Sequence, residues 1–306
     1  MSNLITLADF AIAARPVAFR TYGLEYDKLP KFYEQVARVD KMNGYVDEDI
    51  RLAGMGRMQR KLEGEAFTMD SMRQEYLTRY IAVDYALGAA VTKRAIEQGK
   101  GMDIIGMITS ELANASVQER NHKIAGIFNN AFDSAAQPMG DGAALCTTSA
   151  ANVSGLSGSN KLSVDADFSE ASLETLKIQI ETEARNTRGE LITLSSDMLV
   201  IHPSNQFEVD RILGSSLRAG TSDNDKNVHL GTLSKRAMSP LLADADAWFI
   251  LTNINKGKFG IVLKEAMPME INTDVDFKTS SVLVKGETSF TVGVTDRLCI
   301  YGSSGA

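Results

Sequence analysis

The sequence predicts an α+β protein in which a short arm and an extended excursion precede the main fold. Three observations predict it. Tyr76, Thr78, Tyr80, Ile81, Val83 and Tyr85 are β-branched or aromatic and roughly alternate, which suits a strand. Ile104, Ile105, Ile108, Leu112, Ala115, Ile124, Ile127, Phe128 and Phe132 then recur every three or four residues, the signature of a helix of many turns. Beyond Gly189 the pattern changes to short apolar strands interrupted by a helix.

Residues 1–45 mix a short amphipathic piece, Leu4 to Ala14, with the turn formers Pro16, Gly23, Pro30 and Gly44. Such a segment holds no core of its own and needs another surface to lie on. From Tyr45 to Met72 neither period persists, and Gly54, Gly56 and Gly64 weaken helix and strand alike, so a long hairpin-like excursion fits. Arg57, Arg60 and Lys61 gather near its middle. The long helix is expected from Asp103, an acid placed to favour the helix dipole, with a break before it at Gly99, Gly101 and Gly106.

Residues 134–163 are rich in Ser, Gly and Ala without an apolar period, and predict a long loop. Ser169 caps a helix whose inner face is Leu173, Leu176, Ile180 and Ala184. A strand at Asp197 to Pro203, a helix from Ser204, a polar loop at 218–227, and strands at Ala247 to Asn253 and Gly260 to Ala266 follow. The chain closes in strand pattern, clearest where Phe290, Val292 and Val294 alternate with small residues.

Composition bounds the class. A compact chain of 306 residues buries roughly 75% of its unfolded surface, enough for a core without staples. A net charge of -7 argues against a specific nucleic-acid reader, which more often carries a basic stripe. Cys146 and Cys299 are too few for a disulfide framework and predict free thiols in a reducing compartment. The N-terminus lacks a basic region before its apolar residues, and no apolar run approaches the roughly 20 residues of a spanning helix, so no membrane partner is expected.

Candidate chemistry is sparse. His122, His202 and His229 have no metal-ligand spacing with one another or with a cysteine. Cys146 could be written as a nucleophile partnered by a distant His, and His202 could be aligned with a nucleophile, yet no basic neighbour depresses the thiol and no G-x-S-x-G elbow exists. No phosphate-cradling glycine motif is present. The acidic stretches Asp47 to Ile50 and Ser222 to Asn227 lack calcium-loop spacing and predict solvated turns, while Met55, Met58, Met69 and Met72 suit adaptable packing against a partner. No catalytic, cofactor-binding or metal site is expected.

Five segments carry a resemblance through their order and spacing: RQEYLTRYIAVDYALGAAV (Arg73 to Val91), FNNAFD (Phe128 to Asp133), DGAALCTT (Asp141 to Thr148), SNKL (Ser159 to Leu162) and SEASLETLKIQI (Ser169 to Ile180). They resemble the major capsid proteins of tailed bacteriophages, the Hong Kong 97-type fold, and most of all its Mu-like branch. The resemblance implies an N-terminal arm at 1–45, an extended loop at 46–78 and a peripheral domain at 79–190 with a spine helix from Asp103 to Phe132. An axial domain at 191–264 and return strands at 265–306 complete it. It implies pentamers and hexamers building an icosahedral shell around double-stranded DNA, with a separate scaffolding protein, a portal, and only non-specific contact with the packaged DNA. The expected location is the virion capsid, assembled in the host cytoplasm. Arg57, Arg60 and Lys61 are the candidate inter-subunit contacts.

Some family members weld subunits with a Lys to Asn bond from the extended loop; Lys61 lies there, but no Asn or Glu partner is identified and the chemistry is not carried over. The alternatives are an encapsulin-like compartment shell and a cytoplasmic hydrolase using Cys146 or His202.

Overall fold

The computed structural model describes residues 7–98, 101–136, 139–148, 150–151, 157–186, 188–217, 226–257, 260–276 and 278–305. The chain opens with one helix, α1 (Leu7–Lys28), in place of the broken arm the turn formers suggested. Ala11, Ala14, Ala18 and Tyr22 form its buried stripe, and small side chains let it lie close on the long helix. Pro16 and Gly23 fall on the exposed side. The hydrogen bond that Pro16 cannot donate therefore leaves a carbonyl facing water, where it is satisfied. The arm thus covers its own chain: Tyr22 donates to Ser116 Oγ (3.2 Å), and Thr273 Oγ1 donates to the Ala11 carbonyl (2.8 Å).

Next come α2 (Phe32–Val36), β1 (Arg38–Lys41) and β2 (Val46–Ala53). The single strand expected across 76–91 is two, β3 (Arg73–Ile81) and β4 (Val83–Thr92). The break is at Ala82, whose N–H donates to the Tyr45 carbonyl (2.9 Å); there the chain leaves β2 and joins a different sheet. A short helix, α3 (Lys93–Glu97), precedes the long α4 (Gly101–Asn129), with Asp103 in its first turn. Gly106 lies inside α4 and does not break it; Gly99 lies outside the described residues. Phe132 falls beyond the helix end and stacks on Phe249 (5.4 Å between centroids).

The serine-rich loop carries a small ladder of β5 (Ala150–Ala151) and β6 (Ser157–Gly158). Asn160, 1% exposed, fixes its base: its amide donates to the carbonyls of Leu145 (2.7 Å) and Ile300 (3.0 Å), and its oxygen accepts from Thr147 N (2.9 Å). Helix α5 (Glu170–Glu183) starts at Ser169, whose hydroxyl and backbone exchange hydrogen bonds with Ser172 in a capping box. The remaining elements are β7 (Ser196–Ile201), α6 (Gln206–Gly214), β8 (Lys235–Met238), β9 (Trp248–Thr252), β10 (Ile261–Asp276), β11 (Ser281–Val294) and β12 (Ile300–Ser303).

Two four-stranded sheets organise the molecule. One has the order β1-β10-β11-β4 and carries α4 and α1; the other has the order β12-β9-β7-β8 and carries α5. This differs in several places from a linear division of the chain: α5, within the segment 79–190 expected to be peripheral, packs on the second sheet, and β1, within the expected arm, pairs in the first. The strand from Ile261, grouped in the sequence with the α/β segment, pairs in the first sheet, and β12 returns from the chain's end to complete the second. Strand pairing over such separations leaves no local sequence signal.

The second sheet's core holds Leu173, Leu176, Ile180, Val209 and Trp248, whose indole donates to the Ala166 carbonyl (2.9 Å). Fully burying an aliphatic or aromatic side chain of this kind stabilises by about 1.5–3 kcal/mol. Its partner core joins α4 (Val117, Ile124, Phe128) to β9, β10 and β11 through Phe249, Ile261, Leu263 and Phe290.

Candidate subunit interface

Strands β2 and β3 form a two-stranded hairpin that stands apart from both sheets, with Val46 opposite Ile81, Glu48 opposite Arg79 and Ile50 opposite Leu77. Alternation divides its residues between two faces. The inner face is polar and tied down. Lys264, 3% exposed, donates to Asp47 Oδ2 (2.7 Å) and Asp49 Oδ2 (2.8 Å) and lies over the Tyr80 ring (4.1 Å). Tyr80 OH bonds Thr295 Oγ1 (2.8 Å), and Arg51 pairs with the buried Asp296 (2.7 Å). These acids are not the solvated turn expected of Asp47 to Ile50: they are strand residues paired with a buried lysine.

The opposite face is uncovered and carries exposed apolar side chains on either side of the exposed Glu48–Arg79 ion pair (2.7 Å). Val46 and Ile81 are each 57% exposed, and Tyr45, Ile50, Leu52 and Val83 are exposed beside them. Exposed apolar groups are ordinary singly; several on one face of a strand pair, gathered about an exposed ion pair, suit a partner's surface.

Residues 54–72 join the strands as an exposed tip with no helix or strand, presenting Met55, Met58, Leu62, Phe67, Met69 and Met72. Its neck is held to the turn after α5. Arg188 makes two hydrogen bonds to the Asp70 carboxylate (2.8 and 3.1 Å) and a third to the Ser71 carbonyl (2.7 Å), and Gly56 N donates to Asp70 (2.8 Å). Of the three basic residues singled out in the sequence, Arg57 lies 3.6 Å from Glu190 of its own chain. Arg60 and Lys61 are exposed and make no ion pair among the described residues. Lys264 was missed by sequence reasoning, although a charge directly after the apolar run Ile261 to Leu263 is the signal that marks it.

The Asp47 carboxyl is held below the usual carboxylate range, chiefly by the hydrogen bond from Lys264 and against the opposing effect of burial. A lowered folded value stabilises above the ordinary aspartate pKa of about 4 and is lost as pH falls through the folded value. Asp296 has the opposite sign, since burial raises it against the Arg51 charge that lowers it. The Asp47 contribution should therefore be present at neutral pH and fade below about pH 4, while Asp296 contributes in the opposite sense. Hydrogen exchange of the β2 amides, corrected for the intrinsic rate at each pH, should show this acid release in the parent chain and its absence in Asp47→Asn.

The proposed chemistry of Cys146 and His202 is not supported. Cys146 is enclosed in the core beside α4, where burial pushes its thiol well up, away from the thiolate. His202 ends β7 and caps the following turn: its Nδ1 bonds Ser204 Oγ (2.8 Å) and accepts from Ser204 N (3.2 Å). His229 is buried with its Nε2 3.1 Å from Glu174. Both cysteines are free, and no cluster of metal-ligating side chains occurs among the described residues. Apart from Lys226 and Asn227, the acidic stretch 222–227 lies outside them. No helix among the described residues is long and apolar enough to cross a membrane.

A subunit with a standing hairpin, exposed apolar side chains on its outer face and an exposed apolar tip is a protein of assembly. The chain belongs to the phage capsid protein family, whose model matches residues 75–303. It is a capsid shell protein, and its role is structural, not enzymatic.

No curated protein matches the chain. Among solved structures, the capsid of the native GTA particle is similar at a TM-score of 0.58 and 14% identity, covering 91% of this chain and 92% of that one. The virus-like particle from Pyrococcus furiosus is similar at 0.55 and 10%, covering 94% and 97%. The capsid of cyanophage P-SCSP1u is similar at 0.55 and 10%, covering 90% and 88%. These likenesses show the fold, which is the Hong Kong 97 type the sequence resembled.

Proposed function

We propose that this chain is the major head subunit of a tailed phage or prophage of the Mu-like branch, assembling as pentamers and hexamers into an icosahedral shell around double-stranded DNA. The observation that carries the reading, given the capsid family, is the set of exposed apolar side chains, Val46, Ile50, Leu52 and Ile81, on the uncovered face of the β2–β3 hairpin. In this reading residues 46–81 are the extended loop. The β1-β10-β11-β4 sheet with α4 is the peripheral domain, and the β12-β9-β7-β8 sheet with α5 and α6 is the axial domain. A separate scaffolding protein and a portal take part, in the host cytoplasm.

Arg57, Arg60 and Lys61 act at the contact by meeting acidic groups of a neighbouring copy. Replacing all three with serine should weaken assembly strongly while the subunit melts at nearly the same temperature, because exposed ion pairs add little to a monomer's stability. Sedimentation of assembly reactions with scaffold present, beside a thermal melt, checks it. Full assembly by the triple variant, or a much lower melting temperature, contradicts the role.

A wall of net charge -7 encloses a genome without gripping it. Binding to any duplex should be weak and fall steeply with salt. A gel shift at physiological salt showing a tight complex on one sequence, surviving competitor, would contradict this. A compartment shell shares the fold; nucleic acid or protein found inside purified particles separates the two readings.

A further inference from the structure

A helix lying on a sheet is held off by large side chains, and where α4 faces β4 and β11 the residues that meet are small: Ala115 and Ser116 on the helix and Gly286 on the strand. The space they leave is a mostly apolar cavity of about 200 Å³, walled by Leu112 and Phe290, with the exposed Leu87 at its rim. Met269 lies across its floor, since a Cβ on Gly286 would stand 2.2 Å from the Met269 methyl.

The polar groups of the lining converge at one end. Thr288 is already engaged: it donates to the Met267 carbonyl (3.0 Å) and accepts from Arg120 (3.2 Å). Ser116, 7% exposed, accepts from Tyr22 (3.2 Å) and from Arg120, which also pairs with Glu265 (2.8 Å). A hydroxyl that accepts twice still has its own proton to give, and this one meets no acceptor among the described residues. One turn further along α4 stands the half-exposed Glu119 carboxylate, 3.5 Å from Lys123. A buried water needs two to four polar partners, so the rest of the cavity suits an apolar group and not solvent.

We propose that this cavity is a binding site for a small single-ring phenol. The ring fills the apolar end, against the Met269 thioether and against Phe290, which is itself stacked on Tyr85 (4.6 Å between centroids). Aromatic rings and thioether sulfur both gain from an aromatic neighbour. The size fits, because a dry cavity of about 150 Å³ lined by aliphatic and aromatic side chains already holds benzene. The phenolic oxygen accepts the proton of Ser116, and its hydroxyl donates to Glu119. Occupation restores the packing contacts that the facing small residues forgo.

Calorimetry and thermal melts of the unassembled full chain with p-cresol test the site whether or not the chain forms shells. p-Cresol should bind saturably and raise the melting temperature as its concentration rises. Toluene, which keeps the ring and methyl but lacks the hydroxyl, should bind about tenfold more weakly. Glu119→Ala should weaken p-cresol by about the same factor and leave toluene unchanged. Ala115→Leu, which fills the cavity from a half-exposed helix position, should abolish the binding of both. If Ala115→Leu fails to fold, Glu119→Ala still reads the site through the difference between the two ligands. No saturable binding of p-cresol, toluene binding as tightly, or p-cresol affinity unchanged in either variant would each overturn the site.

Discussion

Replacing Gly260 by alanine should leave no folded subunit. A Cβ at this position would stand 1.4 Å from the Asn255 carbonyl oxygen, 2.3 Å from its carbon and 2.8 Å from its Cα, all backbone atoms that cannot swing aside. The turn is a junction. Asn255 accepts from Ile261 N (3.0 Å) at the start of β10 and donates to the Val36 carbonyl (2.6 Å). Thr295 N reaches the Gly260 carbonyl (3.3 Å). Shifting Gly260 therefore disturbs both sheets at once. The cost belongs with the exceptional substitutions, above about 4 kcal/mol, against a total stability of about 5–15 kcal/mol. Expression followed by a thermal melt checks it: a variant that is folded and melts within a few degrees of the parent means the chain does not pass this closely.

The second large effect separates assembly from folding. Ile50 and Ile81 lie on the uncovered face of the hairpin, and both are exposed in the isolated subunit. Changing both to lysine should alter the subunit's stability by no more than about 0.5 kcal/mol per site, as for surface substitutions generally. In a shell these positions are covered, so each substitution forfeits about 1.5–3 kcal/mol of burial and adds a charge without a partner. The loss recurs at every copy, and shells should disappear altogether. A pelleting assay and a melt of the same preparation decide it: shells forming as well as in the parent would place the contact elsewhere.

What the sequence made legible was local. The period of α4, the capped start of α5 and the apolar runs of β7 and β9 lie where expected because each pattern repeats within one element. Helix α1 was hidden because Pro16 and Gly23 normally end helices, and its buried stripe of Ala11, Ala14 and Ala18 carries little hydrophobic signal. The sheet partners of β10 and β12 were hidden because pairing is a long-range choice.

The candidate interface was legible in part. The glycines and methionines of 54–72 marked an exposed tip, yet the exposed apolar side chains on the outer face of β2 and β3 come together only when Val46 is set opposite Ile81. Lys264 and Arg120 escaped notice for a shared reason: each sits on the inward side of an apolar element, and its carboxylate partners come from elsewhere in the chain.

Electron microscopy of the expressed chain, alone and with the products of its neighbouring genes, tests the shell reading most directly. Closed icosahedral particles, or pentamers and hexamers that become particles when a scaffolding protein is supplied, are the expected result. A compact monomer that stays monomeric at every salt and protein concentration with scaffold present would contradict it.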